Sequence, residues 1–270
     1  MIHFTVNSIR FAFLAALFAV TGLLARAADL PVRREWTFEG VKREALVRLP
    51  VARAGAPAPV VVVFHGHGGT MRSASRSQPV HELWPEAVVV FMQGLPTPGR
   101  LTDPEGKKPG WQSTVGAQGD RDLKFFDAVL ASLRAEQKVD DRRIYSTGHS
   151  NGGGFTYLLW GARREVFAAF GPSASAAGGA GLSALKPAPV IHIAGTNDEL
   201  VKFAWQKLTL DALIRINQCD PKGEPVGKGL TLHASKIGAP VMTYIHAGTH
   251  KYPAEATAFI VDFFKAHARP

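Results

Sequence analysis

The sequence predicts an α/β fold: a mostly parallel central sheet with helices on both faces. Three observations predict it. Continuous β-branched runs, PVVVVFHG (59–66) and AVVVFMQG (87–94), have the pattern of strands buried on both sides. Strand-like and helix-like segments alternate along the chain, which is how parallel strands are joined. The 270 residues, 46% of them hydrophobic, suffice for one sizeable core, and no internal repeat or Ser/Pro-rich linker divides them.

The elements follow in order. REWTFEGVKREALVRLP (34–50) alternates in polarity and reads as an early hairpin. ARAGAPAP (52–59) is a loop, too short to join two domains. The two β-branched runs come next. DLKFFDAVLASLRAEQ (122–137) places Phe125, Phe126, Val129, Leu130 and Leu133 at helical spacing and is an amphipathic helix. RRIYSTG (142–148) is a third core strand, GGFTYLLWGARR (153–164) a helix, and VFAAFGPSA (166–174) a fourth strand. PVIHIAG (189–195) is a fifth, followed by a helix over about 200–215. PVMTYIHAG (240–248) is the last strand, and PAEATAFIVDFFKAH (253–267) the closing helix.

The first 27 residues are expected to lie outside this domain. A short segment with Arg10, an apolar run FAFLAALFAVTGLL and an A-x-A pattern at Ala25 and Ala27 read as a secretory signal peptide. The apolar run has about 14 residues, against the roughly 20 that a spanning helix needs. The expected mature chain is 28–270, a single catalytic domain, secreted or periplasmic, with no stable membrane insertion after cleavage.

The formal charge is +9, to which Arg10 and Arg26 of the leader contribute two. The other basic residues are scattered, with no stripe and no interleaved aromatics, so nucleic acid is not an expected partner. Cys219 is the sole cysteine, so no intrachain disulfide forms, and it lacks the surroundings of a nucleophile.

The chemistry centres on TGHSNGGG (147–154). Gly148-His149-Ser150-Asn151-Gly152 fits G-x-S-x-G between a strand and a helix, the nucleophile elbow that presents a serine on a strained turn. Neither a dinucleotide fingerprint nor a Walker lysine accompanies these glycines, and no cofactor is expected. A serine hydroxyl needs a base, and the base needs an orienting acid. On this topology the chain order is serine, acid, histidine, each in a loop just after a strand. Asp198 follows the fifth strand in VIHIAGTNDELV, with Glu199 as the adjacent alternative and helix capping as the competing role for Asp198. His250 lies between the last strand and last helix in YIHAGTHKYP; His246 competes with it but shares a strand face with Tyr244 and Met242. Acyl transfer also needs oxyanion donors. The backbone amides of Asn151, just after the serine, and His67, in the FHGHGG loop (64–69), fill that requirement. His65 and His67 form an H-x-H pair without a third ligand at sensible spacing, and no metal is expected.

These residues resemble a known family. VVVVFHGHGG, WQS, GDRDLKFFDAVL, DDRRIYSTGHSNGGG, GTNDELVKF and GTHKYP occur in the order seen in secreted α/β-hydrolases of the feruloyl esterase, acetylxylan esterase and polyhydroxybutyrate depolymerase-like group. The resemblance covers about 60–265. It implies the α/β-hydrolase fold, Ser150 as nucleophile, Asp198 as acid, His250 as base, and Trp111 near the substrate. One departure is the Ala247–Pro253 segment, where many relatives read Gly-Gly-His-x-Trp-Pro; Tyr252 replaces an aromatic wall there and is a second candidate substrate contact. The implied reaction is hydrolysis of feruloyl or acetyl esters of plant polysaccharide fragments, or of similar small esters. Depolymerisation of a short polyester and serine peptidase activity are the alternatives.

Overall fold

A computed structural model describes residues 30–51 and 56–270. The expected signal peptide lies outside the described residues.

The chain begins with an antiparallel hairpin, β1 (Val32–Phe38) and β2 (Val41–Arg48). Then come β3 (Ala58–Phe64), α1 (Met71–Ser77), α2 (Val80–Leu83) and β4 (Val88–Met92). An excursion over 93–120 contains the two-residue strands β5 (Leu95–Pro96) and β6 (Pro109–Gly110). The chain continues through α3 (Arg121–Glu136), β7 (Val139–His149), α4 (Asn151–Ala162), β8 (Ala169–Ser173), α5 (Gly179–Ala184), β9 (Val190–Gly195) and α6 (Phe203–Ile216). It closes with β10 (Glu224–Gly227), β11 (Leu230–His233), β12 (Val241–His246) and α7 (Ala256–Lys265).

Ten strands form one sheet in the order β1-β2-β4-β3-β7-β8-β9-β12-β11-β10. The central six, β4 to β12, run parallel, and an antiparallel pair flanks each side. Burial follows this order. Every residue of β3, β4, β8 and β9 is buried, whereas all of β10 is exposed. The uninterrupted Val runs therefore serve strands that have neighbours on both edges and helices on both faces.

Alternation divides the side chains between two cores. Val60, Val62 and Phe64 point to the face covered by Phe126, Val129 and Leu133 of α3 and Phe155, Leu159 and Trp160 of α4. Val61 and Val63 point to the opposite face, covered by Met71, Trp84 and the Ile260, Val261 and Phe264 side of α7. The fold is the expected one, a mostly parallel sheet with helices on both faces.

One ionic contact crosses this apolar packing. Arg43 of β2 donates to Asp122 of α3 at 2.7 Å, with both side chains fully buried. The guanidinium also reaches the Arg121 and Gln93 carbonyls and lies 4.3 Å from the Phe125 ring centroid. The second Asp122 oxygen accepts the Gln112 backbone N–H at 2.9 Å. The pair thus fastens the 93–120 excursion to the frame. Removing the anion would strand a buried cation, which is costlier than the pair's net worth. Asp122→Ala is expected to lower the unfolding free energy by about 3–5 kcal/mol. Urea denaturation would show this as a lower midpoint at unchanged slope; a loss below about 1 kcal/mol would contradict the account.

Candidate active site

The sheet order sets the site. β7 lies near the middle, and Ser150 sits where β7 hands over to α4. The loops after β3, β9 and β12 open on the same C-terminal edge, where ligands of open α/β sheets bind.

The turn at Ser150 is strained. Its φ of 57° and ψ of −120° lie outside the comfortable regions for an L-residue. Its backbone N–H donates to the Ser173 carbonyl of β8 at 2.9 Å, and its own carbonyl receives the Gly154 N–H, so the conformation is held from both sides. The flanking residues must be glycine for a steric reason. A Cβ on Gly148 would stand 2.5 Å from the Gly152 carbonyl oxygen, and one on Gly152 would collide with the Phe64 carbonyl. Gly153 packs closely against Ser173 and Ser175, whereas nothing crowds Gly154.

The structure brings Ser150, His250 and Asp198 together. Ser150 Oγ lies 2.8 Å from His250 Nε2, and His250 Nδ1 lies 2.8 Å from Asp198 Oδ2. Asp198 is buried, and its two oxygens divide their partners. Oδ1 accepts the Leu200 and Val201 backbone N–H groups at 3.0 and 2.9 Å, and Oδ2 faces His250. Asp198 does not cap the helix, as the competing reading had it: α6 begins at Phe203 with Lys202 as its N-cap, and the Oδ1 bonds close the turn over Leu200 and Val201 instead. The two loops are also bound to each other. Thr196 N–H donates to His246 O, Asn197 N–H to Gly248 O, and the Asn197 side-chain amide to Ala247 O.

His246 stays on its strand. Its ring stacks on Tyr244, and its Nδ1 accepts the Gly248 N–H at 3.0 Å. Glu199 takes no part in the Ser150–His250–Asp198 contacts. His149 is turned to Ser173 Oγ, 3.2 Å from its Nδ1, not to Ser150. Its ring nevertheless lies beside that of His250, with centroids 5.1 Å apart. The residue just before Ser150 thus packs against the histidine that Ser150 meets.

The two residues expected to supply oxyanion donors lie in the turns beside Ser150. Asn151 is the first residue of α4, so its N–H has no intrahelical acceptor. Its side chain is held by Trp111, whose backbone N–H donates to Oδ1 at 2.8 Å. His67 sits in the loop after β3, where Gly66 lies 3.4 Å from Ser150 Cβ if given a Cβ of its own. The His67 ring is fixed by Asp103, with Nε2 3.1 Å from the carboxylate. His65 is directed elsewhere: its Nε2 accepts the Gly94 N–H, and its Nδ1 lies 2.7 Å from Gly66 O.

Trp111, expected near the substrate, lies beside Asn151 with its ring turned into the core. Its ring is 1% exposed, stacked on Phe155 and edge-on to Phe64, and its indole N–H donates to His65 O. A tryptophan beside a Gly-rich site can equally be the floor beneath it, and burial decides the case here. Tyr252 is half-buried, with its hydroxyl 3.1 Å from Thr257 Oγ1 and its ring edge-on to His149. It backs His149 and has no free hydroxyl. The residues that sequence reasoning missed lie behind Asp198. Gln206 of α6 donates to Asp198 Oδ2 at 3.1 Å and connects to His192 and Tyr157. A histidine inside the apolar strand VIHIAG was the available signal.

No protein-family profile matches the chain. Curated relatives do. The sequence is 31% identical over 91 residues, 34% of this chain and 14% of the relative, to the bifunctional acetylxylan esterase/xylanase XynS20E of Neocallimastix patriciarum. It is 28% identical over 158 residues, 54% of this chain and 52% of the relative, to feruloyl esterase D of Neurospora crassa. The chain thus spans about half the length of one of these relatives and a smaller share of the other. Among solved structures, a CE1 ferulic acid esterase from Anaeromyces mucronatus in complex with ferulic acid superposes with a TM-score of 0.60. That match covers 88% of this chain and 90% of the other at 15% identity.

Two buried imidazoles, His65 and His192, and the half-buried His149 give the fold a pH dependence. Burial pushes His65, His149 and His192 down to about 4. An unfolded histidine titrates near 6.5. Between these values the unfolded chain binds more protons than the native one, so stability falls as pH is lowered through this window. Each group contributes up to roughly 1.4 kcal/mol per pH unit. The urea midpoint should be level above about pH 7.5 and drop steeply from pH 6.5 to 4.5. A midpoint that is flat across that window would show that these rings are not buried neutral.

By fold the chain is an α/β-hydrolase, and by sequence it is similar to the feruloyl and acetylxylan esterases.

Proposed function

We propose that the chain is a serine carboxylic-ester hydrolase acting through Ser150, His250 and Asp198. The observation that carries this reading is the unbroken hydrogen-bonded path from Ser150 Oγ through His250 to Asp198, at 2.8 Å for each step. Ser150 Oγ attacks the ester carbonyl carbon as His250 Nε2 takes its proton. The carbonyl oxygen becomes an oxyanion and accepts hydrogen bonds from the Asn151 and His67 backbone N–H groups. Asp198 holds the imidazole in the Nδ1–H tautomer and stabilises the imidazolium. Collapse of the intermediate breaks the ester C–O bond, and His250 returns its proton to the leaving alkoxide. Water then attacks the acyl-enzyme, again giving its proton to His250; as the acyl C–Oγ bond breaks, His250 passes that proton to Ser150 Oγ and the acid is released. The chemistry calls for no metal or organic cofactor.

The substrate proposal rests on the named relatives: feruloyl or acetyl esters of plant polysaccharide fragments, or similar small esters. Tyr252 borders the site from behind His149, and Trp205, 40% exposed on α6, offers an aromatic surface for a phenolic acyl or a sugar. Export follows from the leader reading of residues 1–27, with a single catalytic domain over 28–270. Among the described residues, no helix is long and apolar enough to cross a membrane.

The test is a substrate panel: methyl ferulate, acetylated xylan, p-nitrophenyl acetate and butyrate, a 3-hydroxybutyrate oligomer and an N-acyl-amino-acid p-nitroanilide. Turnover of the first four classes above the last two supports the proposal. Preference for the oligomer points to a polyester depolymerase, and preference for the anilide to a peptidase. A fluorophosphonate should label Ser150 in the folded protein. Ser150→Ala and His250→Ala should each lower kcat by about 10⁴-fold or more, and His246→Ala by less than about threefold. Full activity in His250→Ala would overturn the assignment of the base.

A further inference from the structure

We propose that Gln206, His192 and Tyr157 form a buried chain of hydrogen-bond donors that positions the Asp198 carboxylate against His250. This rests on the hydrolytic reading of Ser150, His250 and Asp198. All three residues are buried, and none touches Ser150 or His250.

The directions of the bonds follow from which groups can donate. Gln206 Nε2 lies 3.1 Å from Asp198 Oδ2 and 2.7 Å from the Val201 carbonyl. A carboxylate and a backbone carbonyl can only accept, so the Gln206 amide nitrogen must face them. Its oxygen then faces His192 Nε2 at 3.3 Å and can only accept. His192 must therefore carry its proton on Nε2, which leaves Nδ1 as an acceptor. Tyr157 donates its O–H to that nitrogen at 2.6 Å. The same tautomer suits a ring that burial keeps uncharged. Each link has one allowed sense, and every donor points toward Asp198.

The chain ends on the oxygen that faces His250. Oδ2 accepts from Gln206 and from His250 Nδ1, while Oδ1 accepts the two amides of its own turn. Three donors, the Leu200 and Val201 amides and Gln206 Nε2, thus fix the carboxylate and leave one direction open, toward the imidazole. Aligned donors in a low-dielectric interior polarise one another, so Tyr157 is felt at Asp198 through two intervening side chains. A chain needed only to satisfy buried groups could end on any acceptor. This one ends on the carboxylate oxygen that orients the base, which makes Gln206, His192 and Tyr157 positioning residues.

The experiment compares the full-length enzyme with Gln206→Leu, Gln206→Glu and Tyr157→Phe. Urea unfolding and circular dichroism first establish that each variant is folded. Gln206→Leu is expected to lower kcat by roughly ten- to a hundredfold with KM within about twofold, as for a misplaced catalytic group. The low-field proton resonance of His250 Nδ1–H reports the contact directly and should shift in both Gln206→Leu and Tyr157→Phe. Gln206→Glu keeps the size of the side chain and loses the donor. It therefore decides the matter if the leucine variant does not fold, and should show the same loss of kcat at pH 8. A folded Gln206 variant with wild-type kcat, or an unmoved resonance in Gln206→Leu or Tyr157→Phe, overturns the proposal. Wild-type protein that neither hydrolyses any ester nor takes a fluorophosphonate would instead sink the hydrolytic reading, and the resonance would still judge the chain.

Discussion

The Asp198 carboxylate is the contact on which the arrangement around Ser150 depends. It is a charge without solvent, and such a group persists only when donors surround it. Leu200 and Val201 supply two from the turn that Asp198 itself begins, and the rest come from elements far away in sequence. Because one oxygen is spent on the local turn, the other can face only His250 and Gln206. Satisfying the charge and aiming the imidazole are thus a single geometric problem. The bonds from Thr196 and Asn197 to the His246–Gly248 segment hold the acid loop and the histidine loop in the same register.

Ser150 poses the complementary problem. Its backbone conformation is unfavourable by itself and persists because the surroundings over-determine it. The Ser173 carbonyl takes its amide, and Gly148 and Gly152 let β7 and α4 approach where no Cβ fits. This requires a rigid frame, which the two apolar cores on either face of the sheet provide. The buried Arg43–Asp122 pair extends the frame to the excursion after β4. Through Gln112 and Trp111 it reaches the Asn151 side chain. A contact at the far side of the excursion therefore bears on the first residue of α4.

Much of this was legible in the chain. Val runs without polar interruption demand cover on both faces, which a parallel sheet between helices provides. The hairpin at the start, the helix over Arg121–Glu136 and the closing helix fall where polarity patterns put them. Ser150, Asp198 and His250 stand out because each follows a predicted strand, and strands of one parallel sheet end on one edge. Trp111 shows the limit. A tryptophan near a glycine-rich loop can wall a cleft or lie beneath it, and local pattern does not distinguish the two; its stacking on Phe155 does.

Sequence by itself determined the fold class, the strained serine turn and the short set of residues that could meet there, because periodicity and glycine placement are local properties. Tertiary structure alone decided which residues touch. It set His250 Nε2 against Ser150 Oγ, turned His149 to Ser173, buried the Trp111 ring and ran Tyr157, His192 and Gln206 to the back of Asp198. These choices depend on distances between segments separated by tens of residues. A buried polar side chain takes its partner from whatever the packed frame sets within hydrogen-bond reach.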